Sequence, residues 1–289
     1  MRIMLTNLDQ TFEARLENAL KSKASLPVLN PDAARIQMAA TQKDLHFSIL
    51  AGLLCKDPAL TTQILKVANS PYYRGRAVVE TLKDALTLLG QYEMVNIIMT
   101  VVHKQNFRSK HPLIKSFQEQ LWTHSVNCAT GALWTTRHLD LKDLIPKAFI
   151  AGLLHDMGKL HILTALESLL VQAHNRPVPP MGAIEHQIEM RHTALGYDLL
   201  TQWHLPTRYG IVAKDHHSDS FDSSDLLLVV VRLVDRFCKT IEDDATKQTT
   251  CHIDHSAFES LPEARILNLG KSEIGDLEMV IRNSTVGLT

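Results

Sequence analysis

Ala151-Gly152-Leu153-Leu154-His155-Asp156-Met157-Gly158-Lys159 is the stretch on which the reading of this chain turns. An apolar run delivers a His-Asp pair to the end of a helix, where Gly158 is placed to stop the helix and Lys159 to reach outward. Imidazole and carboxylate side by side suit a borderline or hard divalent cation. One such pair equally fits a helix end decorated with polar residues, so its surroundings decide.

The surroundings are helical. Pro146 opens the helix that carries the pair, and Leu113 to His138 before it places Phe117, Leu121, His124, Cys128 and Leu133 near one face. After a polar turn around Asn175 to Pro180, Glu185–Met190 and His192–Trp203 read as two helices. Pro206 starts another, which reaches Asp215-His216-His217. Ser223-Ser224-Asp225 then caps a strongly apolar helix with Asp235 near its middle. The tail is polar from Asp244 to Ser256 and regains apolar spacing through Leu261, Ile266, Leu277 and Ile281.

Toward the N-terminus, residues 8–21 carry one apolar stripe, and Leu26-Pro27-Val28-Leu29-Asn30-Pro31 reads as a stiff connector. Two helical segments follow between Asp32 and Lys56. Asp57-Pro58 marks a helix start that runs to Asn69-Ser70-Pro71. Thr81 to Leu89 is a helix stopped by Gly90, and the next, with Val95, Ile97, Ile98, Met99, Val101 and Val102, is apolar on most sides and therefore buried. No alternating run bounded by Asn-Gly or Asp-Gly turns occurs. The fold class is all-α. The polar stretch Asn106 to Pro112 separates an N-terminal helical subdomain, 1–110, from a second helical domain with a C-terminal helical extension, 111–289.

With 289 residues, 45% hydrophobic and 21% charged, the chain has the composition of a globular protein able to bury a sizeable core. A net charge of -1 leaves no electrostatic footprint for nucleic acid or an anionic membrane. Cys55, Cys128, Cys238 and Cys251 form no C-x-x-C pair and read as reduced thiols of a cytosolic protein. Met1 to Asp9 does not read as a secretory signal, and the longest apolar run, Leu226 to Val231, is too short to cross a bilayer. The expected location is cytoplasmic.

Seven polar residues ride on these apolar helices: His124, His155, Asp156, His192, His216, His217 and Asp235. A buried unpaired carboxylate is expensive, so Asp235 requires a metal, several donors, or one of its neighbours Arg232 and Arg236. His216 and His217 are about 100° apart around a helix and so suit two adjacent metals, or one metal and one substrate oxygen.

The order His, His-Asp, His, His-His, Asp resembles the HD phosphohydrolase superfamily, and most of all its HD-GYP branch. The N-terminal half adds a narrower likeness: Leu26-Pro27-Val28-Leu29, Asp57-Pro58-Ala59-Leu60, Ala68-Asn69-Ser70, Ala85-Leu86-Thr87-Leu88-Leu89-Gly90, Trp122-Thr123-His124-Ser125 and Trp203-His204-Leu205-Pro206 resemble the HDOD family of bacterial signalling proteins. The resemblance implies an HD-like helical bundle with an additional N-terminal helical subdomain. It implies that His124, His155, Asp156 and Asp235 hold one divalent metal, with Asp156 bridging to a second held by His192, His216 and His217. Lys159 would face a phosphate oxygen and, with Asp156, serve any catalysis.

Iron or manganese is favoured by the resemblance, and N/O ligation alone also admits zinc or nickel. HD-GYP proteins follow their His-His pair with a Gly-Tyr-Pro stretch, whereas Ser218-Asp219-Ser220-Phe221-Asp222 stands here, which disfavours cyclic di-GMP. Gln120 occupies the place of a third-metal glutamate, which favours two metals.

The expected function is an HDOD-type signal-transduction protein that binds a signalling partner or a nucleotide or phosphate ligand, with its N-terminal helices packed over the mouth of the site. The alternative is an active metal-dependent phosphohydrolase or phosphodiesterase. A purely structural adaptor is a third reading.

Overall fold

The structure, a computed structural model, describes residues 12–22, 26–27, 58–69, 78–172, 178–246 and 253–284. Among them the regular structure is helical, with no strand. The N-terminal part contributes α1 (12–20), α2 (Pro58–Ala68), α3 (Leu82–Leu89) and α4 (Gln91–Lys104). The middle is built from α5 (Pro112–His138), α6 (Ile145–Leu154), α7 (Met157–Gln172), α8 (Met181–Gln202) and α9 (Thr207–Asp215). Next come α10 (Leu226–Thr246), the short α11 (His255–Glu259) and α12 (Pro262–Ile266), and α13 (Lys271–Ser284). The first nine residues, the two segments expected between Asp32 and Lys56, most of the Leu26–Pro31 connector, Cys55, Asp57, Ser70, Pro71 and Cys251 lie outside the described residues.

Local chemistry explains the helix ends. Thr81 and Asp84 form a reciprocal capping box at α3: the Asp84 amide donates to Thr81 Oγ1 at 3.0 Å and the Thr81 amide to Asp84 Oδ2 at 2.9 Å. Gly90, at φ 79°, takes the backbone from α3 into α4 through the left-handed region. Asn69 ties the end of α2 to the segment before α3, donating to Leu65 O and Val79 O while accepting from the Val79 amide. Asp225 caps α10 by accepting from the Leu227 amide at 3.1 Å.

The long helix α5 is the axle. It packs against α6, α7, α10 and α13, and it does so closely because small residues line it. A Cβ on Gly152 of α6 would come within 2.6 Å of Cys128 O and 2.7 Å of Ala129 Cα, so only glycine lets the two backbones meet. Helix α10 is buried at every position from Leu227 to Asp235. One apolar cluster runs from Phe12 through Met94–Val102 of α4 to Ile281, and so continues across the turn at residue 110.

Two expectations are corrected. Glu185–Met190 and His192–Trp203 are one helix, α8, because Arg191 between them is a good helix former with its Nε on Gln187 Oε1 at 2.7 Å. Gly158 does not stop a helix: His155 and Asp156 form a two-residue turn, and α7 starts at Met157. The glycine is required for packing instead. A Cβ there would collide with the His192 carbonyl oxygen and approach Gly196 N to 2.6 Å. Gly158→Ala is expected to cost about 3 kcal/mol by overpacking, read as a lower urea midpoint at unchanged slope.

His103 on α4 is 1% exposed and neither ring nitrogen has a hydrogen-bond partner. Burial lowers its pKa to about 4, against about 6.5 in the unfolded chain. The unfolded state therefore binds the proton first as pH falls, and stability present above pH 6.5 is lost toward pH 4. The loss is on the order of 3 kcal/mol. His103→Leu should flatten the denaturation midpoint over that range; an unchanged pH slope would place the sensitivity elsewhere.

Candidate metal centre

Five segments bring the seven residues together. Helix α5 supplies His124, the α6–α7 turn His155 and Asp156, α8 His192, the turn after α9 His216 and His217, and α10 Asp235. All but His217 are 5% exposed or less. The carboxylate of Asp156 has two distinct neighbourhoods. Its Oδ2 lies 3.4 Å from His124 Nε2 and 3.4 Å from His155 Nε2, while Oδ1 lies 3.6 Å from His192 Nε2 and 3.4 Å from His216 Nε2. Asp235 Oδ1 stands 3.1 Å from His124 Nε2 and 3.5 Å from His155 Nε2, and its Oδ2 3.6 Å from His217 Nδ1. His216 and His217 reach the same centre because they occupy the helix-ending turn, with ring centroids 4.0 Å apart.

The imidazoles are oriented from behind. His155 Nδ1 donates to Gly152 O at 2.7 Å, His192 Nδ1 to Ile188 O at 2.9 Å, and His216 Nδ1 to Ala213 O at 2.9 Å. A nitrogen facing a carbonyl oxygen carries a proton, so the neutral His192 and His216 present Nε2 lone pairs inward. His124 Nδ1 faces the Glu242 carboxylate at 3.1 Å, the arrangement that raises the basicity of a metal-binding histidine.

The inward atoms have few donors: Lys159 Nζ holds Asp156 Oδ2 at 2.6 Å, and Lys239 Nζ stands 3.3 Å from Asp235 Oδ2. His192 Nε2, His216 Nε2, Asp156 Oδ1 and both Asp235 oxygens are buried without a hydrogen-bond partner. His192 Nε2 and His216 Nε2 nevertheless lie 3.6 and 3.4 Å from Asp156 Oδ1, lone pair facing lone pair. Acceptors converging in a dry interior call for a cation at their centre.

Electrostatics divide the cluster in two. Burial lowers the pKa of His155, but the adjacent Asp156 carboxylate more than reverses this and lifts it to about 10. Burial would raise Asp156 and Asp235; Lys159 and His155 hold the first well below the usual carboxylate range, and His124 and His155 the second. This half demands positive charge. In the other half burial lowers His192 to about 4 and lowers His216 and His217 as well, leaving three neutral imidazoles.

Neither arginine serves Asp235. Arg232 is 1% exposed, and its Nε donates to Glu263 Oε1 at 2.9 Å. Its Nη1 donates to the carbonyls of Asp215, His216 and Ser218 at 2.8 to 3.0 Å, which pins the turn carrying the tandem histidines. Arg236 also faces Glu263, at 3.5 Å. Lys159 does not reach outward as expected: its Nζ folds back onto Asp156 Oδ2 at 2.6 Å, with the side chain 16% exposed.

A cleft of about 250 Å³ opens beside the cluster, with Gln120, His124, Lys159, Glu189, Lys239 and Glu242 on its walls. Three of the residues around the centre were not singled out from sequence: Cys128, Lys239 and Glu242. Each lies one or two helical turns after a chosen ligand, at i+4 from His124, i+4 from Asp235 and i+7 from Asp235, and that spacing on a common face is the signal that would have found them.

Comparison with known proteins places the fold. An uncharacterised protein of Treponema pallidum (strain Nichols) is 24% identical over 214 residues, covering 72% of this chain but 41% of that protein, so the chain spans less than half of its relative's length. A crystal structure of a Geobacter sulfurreducens HDOD domain protein of unknown function superposes with a TM-score of 0.73 at 19% identity, covering 96% of this chain and 99% of that one. A Shewanella amazonensis SB2B protein whose name places it among metal-dependent phosphohydrolases superposes at 0.67 and 19% identity, over 97% and 98% of the two chains. A Marinobacter aquaeolei VT8 protein named for signal transduction superposes at 0.64 and 18% identity, over 96% of this chain and 64% of that one. These likenesses establish the helical fold. The sequence profile of the HDOD domain matches residues 26–219, two thirds of the chain, and the chain therefore belongs to the HDOD domain family.

Proposed function

We propose that this protein is a bacterial signal-transduction protein of HDOD type whose HD-like centre holds a pair of divalent metal ions. The observation that carries the reading is the inward set of buried imidazole and carboxylate atoms, five of them without a hydrogen-bond partner among the described residues: His192 Nε2, His216 Nε2, Asp156 Oδ1 and both Asp235 oxygens. His124, His155, Asp235 and Asp156 Oδ2 would hold one ion, and Asp156 Oδ1, His192, His216 and His217 the other. A nucleotide or other phosphate ligand would enter by the cleft, whose walls include Lys159 and Lys239.

The cleft walls come from α5, α7, α8 and α10. Among the described residues the N-terminal helices do not form its mouth, contrary to expectation. Helix α1 instead docks on α8, where Gln187 Nε2 donates to Glu13 Oε1 at 2.8 Å. Since α8 also carries His192 and Glu189, occupancy of the centre would be felt at α1 through one rigid helix.

The open cleft also favours a second reading, a working phosphohydrolase or phosphodiesterase. Bound cations would there lower the pKa of a coordinated water and polarise the phosphoryl oxygen. Lys159 would orient the phosphate, and His124 would be held in place by Glu242.

A panel of phosphodiesters with added manganese, iron or zinc separates the two readings. The signalling reading expects metal-dependent protection of α1 and α8 from hydrogen exchange with no turnover. Turnover lost in Asp156→Ala would establish the enzyme, and the absence of both protection and turnover would overturn the two together.

A further inference from the structure

We propose that Cys128 is itself a metal ligand, completing a Cys/His/His/Asp tetrahedron with His124, His155 and Asp235 that selects thiophilic cations of the zinc type over manganese or magnesium. The inference rests on the reading of the cluster as a metal centre and names the chemical class of the ion in one half of it.

Cys128 follows His124 by one helical turn on α5 and is fully buried. The ligand atoms of Cys128, His124, His155 and Asp235 all lie within 4.8 Å of one another. Bond lengths of about 2.3 Å to sulfur and 2.0–2.1 Å to nitrogen or oxygen give tetrahedral edges of about 3.5 Å from sulfur and about 3.3–3.4 Å between the lighter atoms. Four of the six separations match this figure, and the other two, from Cys128 Sγ to the His155 and Asp235 ligand atoms, lie within 4.8 Å. His124 Nε2 stands 3.5 Å from Cys128 Sγ, 3.3 Å from His155 Nε2 and 3.1 Å from Asp235 Oδ1, and His155 Nε2 stands 3.5 Å from Asp235 Oδ1.

The cysteine does not stand alone as the sign of a site. The Asp235 side chain is fully buried, and its Oδ1, 3.1 Å from His124 Nε2, is aimed at the cluster without a hydrogen-bond partner among the described residues, while Oδ2 stands 3.3 Å from Lys239 Nζ. Asp156 Oδ2 lies 3.4 Å from both the His124 and His155 Nε2 atoms. It is thus available as a fifth donor, a coordination number that zinc also accepts.

Ligand softness gives the selectivity. Thiolate favours zinc and related ions, whereas manganese and magnesium prefer an all-oxygen or oxygen-rich set. On binding, the Cys128 S–H bond is exchanged for a sulfur–metal bond, and the proton passes to the buffer. Cys238, three residues after Asp235 on α10, is buried beside Cys128. Among the described residues its sulfur does not join the converging ligand atoms, so it is not itself a ligand.

The test titrates the full-length, metal-stripped protein with cobalt(II) and reads the near-ultraviolet sulfur-to-cobalt charge-transfer band beside the visible d–d bands. The inference expects both sets in the native protein. It also expects the charge-transfer band to persist when Cys55, Cys238 and Cys251 are all replaced by serine, which tests Cys128 without altering it. In Cys128→Ser the band should vanish while d–d absorption remains. The zinc-over-manganese affinity ratio should then fall at least roughly ten-fold, the lower bound for losing even an outer-shell partner. Cobalt uptake without the charge-transfer band in the native protein would overturn this inference and leave the metal centre standing. No uptake of cobalt would overturn both.

Discussion

Asp156→Ala is expected to abolish metal retention, with a loss of affinity of at least roughly 100-fold for any divalent ion tested, the upper end of what removal of a mere outer partner costs. The size follows from position. Asp156 Oδ2 serves the His124–His155 half and Oδ1 the His192–His216 half, so one truncation removes a donor from each. The same change leaves the Lys159 ammonium, now paired at 2.6 Å, without its partner at the floor of the cleft. Asp156→Asn preserves the shape and should keep the far-ultraviolet circular dichroism of the native protein while still losing metal. Native-like metal content in either variant would mean that the cluster is a polar core rather than a coordination site.

Arg232→Ala should destabilise the fold by about 3–5 kcal/mol, read from urea denaturation, because it leaves the fully buried Glu263 carboxylate uncompensated. Arg236, at 3.5 Å from Glu263, remains to soften the loss toward the lower figure. The double variant Arg232→Met with Glu263→Leu tells the two roles of the arginine apart. Apolar replacement of both partners of a buried pair is often close to neutral, so stability should largely return. Metal affinity should not return, because the carbonyls of Asp215, His216 and Ser218 have lost the guanidinium that pins the tandem-histidine turn. Recovery of both properties would show that Arg232 does nothing for the centre beyond holding the fold.

These two residues also mark where the sequence was legible and where it was not. Asp156 was readable because its signal is local: an apolar run, a His-Asp pair and a proline-started helix lie within one short segment. Helix ends were readable for the same reason, as at Thr81 with its capping box and Gly90 with its positive φ. The family order of the histidines then supplied which distant residues share the centre, and the structure brings all seven together with Lys159.

The failures are long-range. The choice of Arg232 between Asp235 and Glu263 depends on where α12 docks, and nothing near residue 232 encodes that. Gly158 looks like a helix stop in one dimension and is a contact surface for α8 in three. Lys159, expected to point outward, turns back because the buried Asp156 carboxylate lies one turn away. Cys128 read only as a reduced thiol because no second cysteine stands near it in the chain, yet Cys238 lies beside it in the fold.

Elemental analysis of the full chain purified without chelators tests the metal centre most directly. The account expects roughly one to two equivalents of a divalent transition metal per chain, removed by chelator and restored on adding the ion. Less than about one-tenth of an equivalent, with none taken up on addition, would contradict it.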